Sequence, residues 1–165
     1  MTLADRLRAG FERLLEAIVF LLMIALALLV AAAVVFRKFN APVIWYDEVA
    51  VILLAWITYY GSALAALKGA HISVSALVDA MPRGPRIAVT LFGEVCVIGF
   101  FLVLGWAGYQ VLGVLATDYL VTLPKVSNDY VQSVIPIGSA CYVIAELLRL
   151  PSVLRGAAAR SEASP

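Results

Sequence analysis

Three acidic residues stand where a carboxylate is costly or conspicuous. Asp47 and Glu48 are adjacent, in the stretch WYDE that opens a long apolar run, and Glu94 lies inside another such run. Carboxylates at membrane depth can bind a cation, relay a proton or act as an acid–base pair, so each is a functional candidate. His71, the single histidine, follows Lys68 and Gly69 and adds a side chain that titrates near neutral pH. Other chemistry is poorly supplied. One histidine cannot give both axial ligands of a bis-histidine haem. Cys96 and Cys141 both fall in apolar segments, and no Cys/His cluster has zinc spacing. The chain has no Gly-x-Ser-x-Gly elbow, phosphate loop or HExxH. Neither a catalytic centre nor a resident cofactor is expected.

Position accounts for much of WYDE. Carboxylates in the first turn of a helix accept its free N–H groups and complement the positive end of the dipole. Trp45 and Tyr46 precede them, as aromatic residues do at a lipid–water boundary. Helical spacing from Asp47 leads to Ala50, Thr58, Gly61 and Ala65, and from Glu48 to Ala55, Ser62 and Ala66. Both acids therefore head a small-residue face, the kind that packs another helix. Arg37 and Lys38, across a short connection, are the expected salt-bridge partners. One helix edge offers too few fixed oxygens for Na⁺ or Ca²⁺. The expectation is a helix cap and partner contact at Arg37, Trp45, Asp47 and Glu48.

Glu94 lies about 12 Å along its span at 1.5 Å per residue. An acid at the bilayer centre costs about 2.5–3.5 kcal/mol, so the residue should face protein or take a proton. Its helical neighbours are Phe101, Gly105 and Gly108, and glycines let another helix approach closely. Glu94 thus points to a packing seam, with a proton- or cation-binding acid as the functional alternative. Gly61, Gly105, Gly108, Pro136 and Gly138 are assigned to helix packing. Pro136, inside the last apolar run, removes one backbone bond and kinks the helix. Lys68, Gly69 and His71 read as a helix stop at the glycine followed by a short interfacial segment.

The elements that position these residues are membrane helices. The chain has 165 residues, 64% hydrophobic and 14% charged, with a mean hydropathy of +0.99. Soluble domains carry about 25% charged residues, and a body of this size could not bury so much apolar surface in water. Runs of about 20 residues cross the hydrocarbon, and four fit: about 17–36, 47–67, 87–109 and 131–148. They do not alternate apolar with polar as lipid-facing strands must. The fold class is an all-α integral membrane protein, one four-helix membrane domain over 1–150 with a solvated tail at 151–165. The first run resembles a signal peptide in its basic leader, but it exceeds the 7–15 residues of a signal core. It is expected to stay. Residues 3–16 alternate apolar and charged at helical spacing, so this helix starts on the membrane surface. Lys and Arg in the termini and the second connection outnumber those in the other two connections by nine to three. Both termini should face the cytoplasm, with Asp47 and Glu48 outside. A net charge of +1 gives no footprint for a nucleic-acid partner.

These features in order resemble the small membrane subunit of tripartite ATP-independent periplasmic (TRAP) transporters, the DctQ-like family. The residues that carry the resemblance are RKFN after the first span, WYDE at the second, and GSALAALKGAHISV at its end. Pro124, Pro136 and Gly138 follow, before and within the last span. Lys68, Gly69, His71 and Ile72 form its most specific pattern. Coverage is about 17–150. The resemblance implies a scaffold in the bacterial inner membrane. Such a subunit packs on a large multi-spanning permease that carries the substrate and Na⁺. A soluble periplasmic binding protein delivers the substrate, usually an organic acid. Glu94 is not a position of the family pattern. A stand-alone proton-coupled exporter using Glu94 is the alternative reading, and an anchor for a membrane redox enzyme a third.

Overall fold

The computed structural model describes residues 3–69 and 83–159. They form α1 (Leu3–Lys38), α2 (Tyr46–Lys68), α3 (Arg83–Leu115), the short α4 (Asn128–Gln132) and α5 (Val134–Ala159). Four segments are long and apolar enough to cross a membrane: Arg6–Lys38, Tyr46–Lys68, Ala88–Leu115 and Asn128–Leu150. No strand occurs among the described residues; the nearest thing is an isolated bridge between Tyr119 and Ser127.

The surface leader and the first span are one unbroken helix. The 36 residues of α1 rise about 54 Å, well beyond the roughly 30 Å of hydrocarbon. The chain turns just past its end, where Asn40 takes a φ of 54°, a conformation asparagine tolerates better than most residues. Helix α2 stops at Gly69, whose φ of 66° is left-handed and whose N–H reaches the carbonyls of Ala65 and Ala66. Helix α3 is longer than the 87–109 span at both ends. Pro85 sits in its first turn, where no N–H is needed, and the apolar run carries on through Leu115.

The kink expected from Pro136 is a break. Proline has no N–H for the carbonyl of Gln132, four residues back. The helix accordingly lapses at Ser133, ending α4 and starting α5. Pro136 then occupies the first turn of α5, where the missing donor costs nothing. Helix α5 runs on to Ala159, so the start of the expected tail is helical, and 160–165 lie outside the described residues.

Neighbouring helices pack in the order α1, α2, α5, α3. This is a row, with α2 and α5 in the middle. The buried core joins Leu15 of α1, Ala63, Ala66 and Leu67 of α2, and Tyr142 and Ala145 of α5, with Phe101 of α3 packed against it. The edge helices turn large apolar side chains outward, Phe20, Leu21 and Leu28 on α1 and Phe92, Trp106 and Val114 on α3. Lipid is the solvent that makes such a surface stable.

Candidate functional site

Polar side chains meet at two ends of the row. At the first, Glu48 projects from the opening turn of α2 to the 116–127 connection. Its carboxylate accepts the N–H groups of Val121 and Thr122, each at 3.0 Å, and the Thr122 hydroxyl. Bonds of this kind are charge-assisted and about twice as strong as neutral ones. The connection is further ordered from within. Leu120 N–H donates to the Val126 carbonyl at 3.0 Å and Asn128 N–H to that of Asp118 at 2.8 Å. The Asn128 side-chain amide donates to the Asp118 carboxylate at 2.6 Å. Ser127, buried, turns its hydroxyl towards the carbonyls at the end of α3.

Two expectations for WYDE therefore change. Trp45 occupies the N-cap position of α2 and makes no side-chain cap bond. Among the described residues no ion pair joins Arg37 or Lys38 to Asp47 or Glu48. The reason is where Glu48 points: its oxygens are taken by a loop 73 and 74 residues further along the chain. Asp47 stays exposed on the surface beside it. Below them, the Trp56 indole donates to the Val131 carbonyl at 3.1 Å, tying α2 to α4 just before the break.

At the opposite end, charged side chains tie α1 to α2 and α3 to α5. Lys68 lies 3.7 Å from Glu12 and also hydrogen-bonds Glu16, joining α2 to α1. Both sides of this contact are well exposed, so it adds little to stability. Arg8 donates to the carbonyl of Leu67 at 3.1 Å, occupying one of the free acceptors at the end of α2. Arg149 of α5 holds Glu146 at 3.2 Å and Glu94 of α3 at 3.9 Å. These side chains are 22%, 3% and 14% exposed respectively. A Cβ on Gly69 would lie 3.4 Å from Nε of Arg149. A side chain there would meet the guanidinium only at ordinary contact distance, so it is the left-handed turn that calls for glycine at 69. His71 lies outside the described residues.

Between the two ends runs a glycine seam. A Cβ on Gly108 would stand 2.6 Å from Cγ2 of Ile135, and one on Gly105 3.2 Å from Cβ of Ser139. On the other side of α5, a Cβ on Gly138 would stand 2.7 Å from Cβ of Tyr59. The Phe101 and Tyr142 rings stack with centroids 3.7 Å apart and planes 11° apart. Glu94, Phe101, Gly105 and Gly108 thus all face α5. Gly61 does not share this role: a Cβ there would meet nothing within 4 Å. The close approach of α2 to α5 is made at Tyr59, on another side of the helix.

Glu146, Arg149, Arg8, Tyr59 and the Val121–Thr122 amides are the participants that residue patterns alone did not single out. The Glu146–Arg149 spacing of three residues is a readable helical ion pair. That it also captures Glu94 depends on which helices are neighbours.

A row of four membrane-crossing helices, pairing its charges internally and packed through glycines, defines a polytopic membrane component. Comparison with known proteins specifies the class. The profile of the family described as "Tripartite ATP-independent periplasmic transporters, DctQ component" matches residues 26–156. The chain is 27% identical over 119 residues to the sialic acid TRAP transporter small permease protein SiaQ of Vibrio cholerae serotype O1 (strain ATCC 39315 / El Tor Inaba N16961), covering 70% of this chain and 66% of that one. The chain belongs to the DctQ family of small permease subunits and is a component of a membrane transporter.

Proposed function

We propose that this chain is the scaffold subunit of an ion-coupled importer in the bacterial inner membrane. It packs on a large multi-spanning permease, which holds the substrate and coupling-ion sites. A soluble periplasmic binding protein brings the substrate, an organic acid. The named relative belongs to a sialic acid transporter, and sialic acid is itself an organic acid. One observation carries the scaffold reading: Glu94, Glu146 and Arg149, the charges set between α3 and α5, bind one another in a helix seam. A rigid row with apolar edges is suited to bracing a partner.

The same observation weighs against a stand-alone exporter. A coupling acid must change partners during a cycle, whereas Glu94 is 14% exposed and paired with Arg149. The test is reconstitution. A tagged copy should draw a large permease out of the membrane, and organic-acid uptake into proteoliposomes should require both chains. Uptake by this chain alone would reject the scaffold role. Loss of proton-coupled efflux by Glu94→Gln, with the pair still assembled, would establish the exporter.

A further inference from the structure

The 116–127 connection has a feature that a water-exposed loop does not need. Five consecutive amides, Asp118 to Thr122, each have a protein acceptor. Asp118 donates to Leu115 and Leu120 to Val126. Tyr119 donates to the Asp118 carboxylate, and Val121 and Thr122 donate to Glu48. In water a loop amide needs no such partner, because solvent supplies one. At the edge of hydrocarbon it does, since each unsatisfied group there costs several kcal/mol.

The depth of the loop agrees. Helix α2 has 23 residues and rises about 34 Å, against about 30 Å of hydrocarbon. Glu48 is its third residue, so its carboxylate stands at the hydrocarbon boundary, and the Val121 amide is bonded directly to it. Outward side chains at this end include both charged residues, Asp47, Asp118 and Lys125, and large apolar ones. Val121 is 90% exposed, Ile44 79% and Phe39 77%, and the aromatic Trp45, Tyr119 and Tyr130 at the same end of the helices are exposed too. Tryptophan and tyrosine at this level form an interfacial belt.

We infer that the 118–122 turn is seated in lipid: Glu48 takes up its amides, and Val121 rests in the boundary between acyl chains and headgroups. Glu48 acts as a positioning residue, and its ligand is the chain's own backbone. This rests on the membrane reading of the helices and not on the scaffold role.

The test uses the full chain in lipid nanodiscs with Cys96 and Cys141 replaced by serine and a polarity-sensitive fluorophore on Val121→Cys. The quenchers are phosphatidylcholine carrying a nitroxide high on its acyl chain, and aqueous iodide. The nitroxide lipid should quench several-fold more strongly than iodide, and the emission should be blue-shifted. Dominant quenching by iodide would overturn the inference, as would protection from both quenchers, which would show protein covering the site. Glu48→Ala should shift the label towards iodide, with helicity by circular dichroism as the control for folding. Glu48→Gln, which keeps one acceptor oxygen, should fall between. A label still held in lipid in Glu48→Ala would show that Glu48 does not seat the turn.

Discussion

Gly61 and Gly138 are both glycines inside spans, yet they face opposite costs. At Gly138 an added methyl would run into Tyr59 at 2.7 Å, whereas at Gly61 it would meet open space. Overpacking costs about 1–3 kcal/mol, and Gly138→Ala should destabilise by that amount in detergent unfolding. Gly61→Ala should be neutral or gain up to about 1 kcal/mol, because alanine is the better helix former. Equal effects would show that the seam is not where Gly138 places it. The two acids of WYDE divide in the same way. Glu48 bonds a loop and Asp47 is on the surface, so Glu48→Ala should lower the thermal midpoint clearly while Asp47→Asn leaves it in place. This division was not legible in the sequence, where both acids head a small-residue face. Gly69 was legible, because a left-handed stop after Lys68 is set by the local backbone. The partners of Glu48 are not local, and no periodicity in α2 points to Thr122.

At the scale of elements, run length and the helical period were enough to place the four spans and the Glu94–Gly105–Gly108 face. Which helix that face meets was not, since any apolar span could have lain against it. The answer is α5, and Arg149 holds the contact at one end. Removing one partner of a buried ion pair leaves charge uncompensated and costs about 3–5 kcal/mol. Arg149→Met should therefore destabilise the α3–α5 contact by an amount in that range, read from thermal unfolding of the purified chain. Adding Glu146→Gln to Arg149→Met should recover part of the loss, because one of the stranded carboxylates is then neutral. If the double variant were no better than the single, Arg149 would act through its packing beside Gly69 and not through its charge. Pro136 teaches a related lesson. Its missing donor is plain in the sequence, but whether a helix kinks or breaks there depends on what replaces the bond. Trp56 from α2 donates to the Val131 carbonyl next to the break, and that contact, which spans 75 residues, cannot be read from local sequence.

At the scale of the whole molecule, a row of helices cannot be closed on itself, and its two edges must be covered by lipid or by another chain. Orientation then decides which end of the row meets which compartment. The charge count, nine Lys and Arg against three, predicts both termini in the cytoplasm. The paired charges agree in kind: Arg8, Lys68 and Arg149 cluster at one end, where Arg8 and Lys68 engage α1–α2 and Arg149 engages α3–α5. The opposite end holds Arg37, Lys38 and Lys125 and the Glu48-bonded turn. Reporter fusions at the N-terminus, after Ala159 and within 116–127 test this directly. Alkaline phosphatase, active only outside the cytoplasm, should be inactive at both ends and active in the connection. Inactive fusions in the connection with active ones at the ends would invert the molecule. The row, the seam and the lipid-seated turn would survive that result, but Glu48 and its turn would then face the cytoplasm, out of reach of a periplasmic partner.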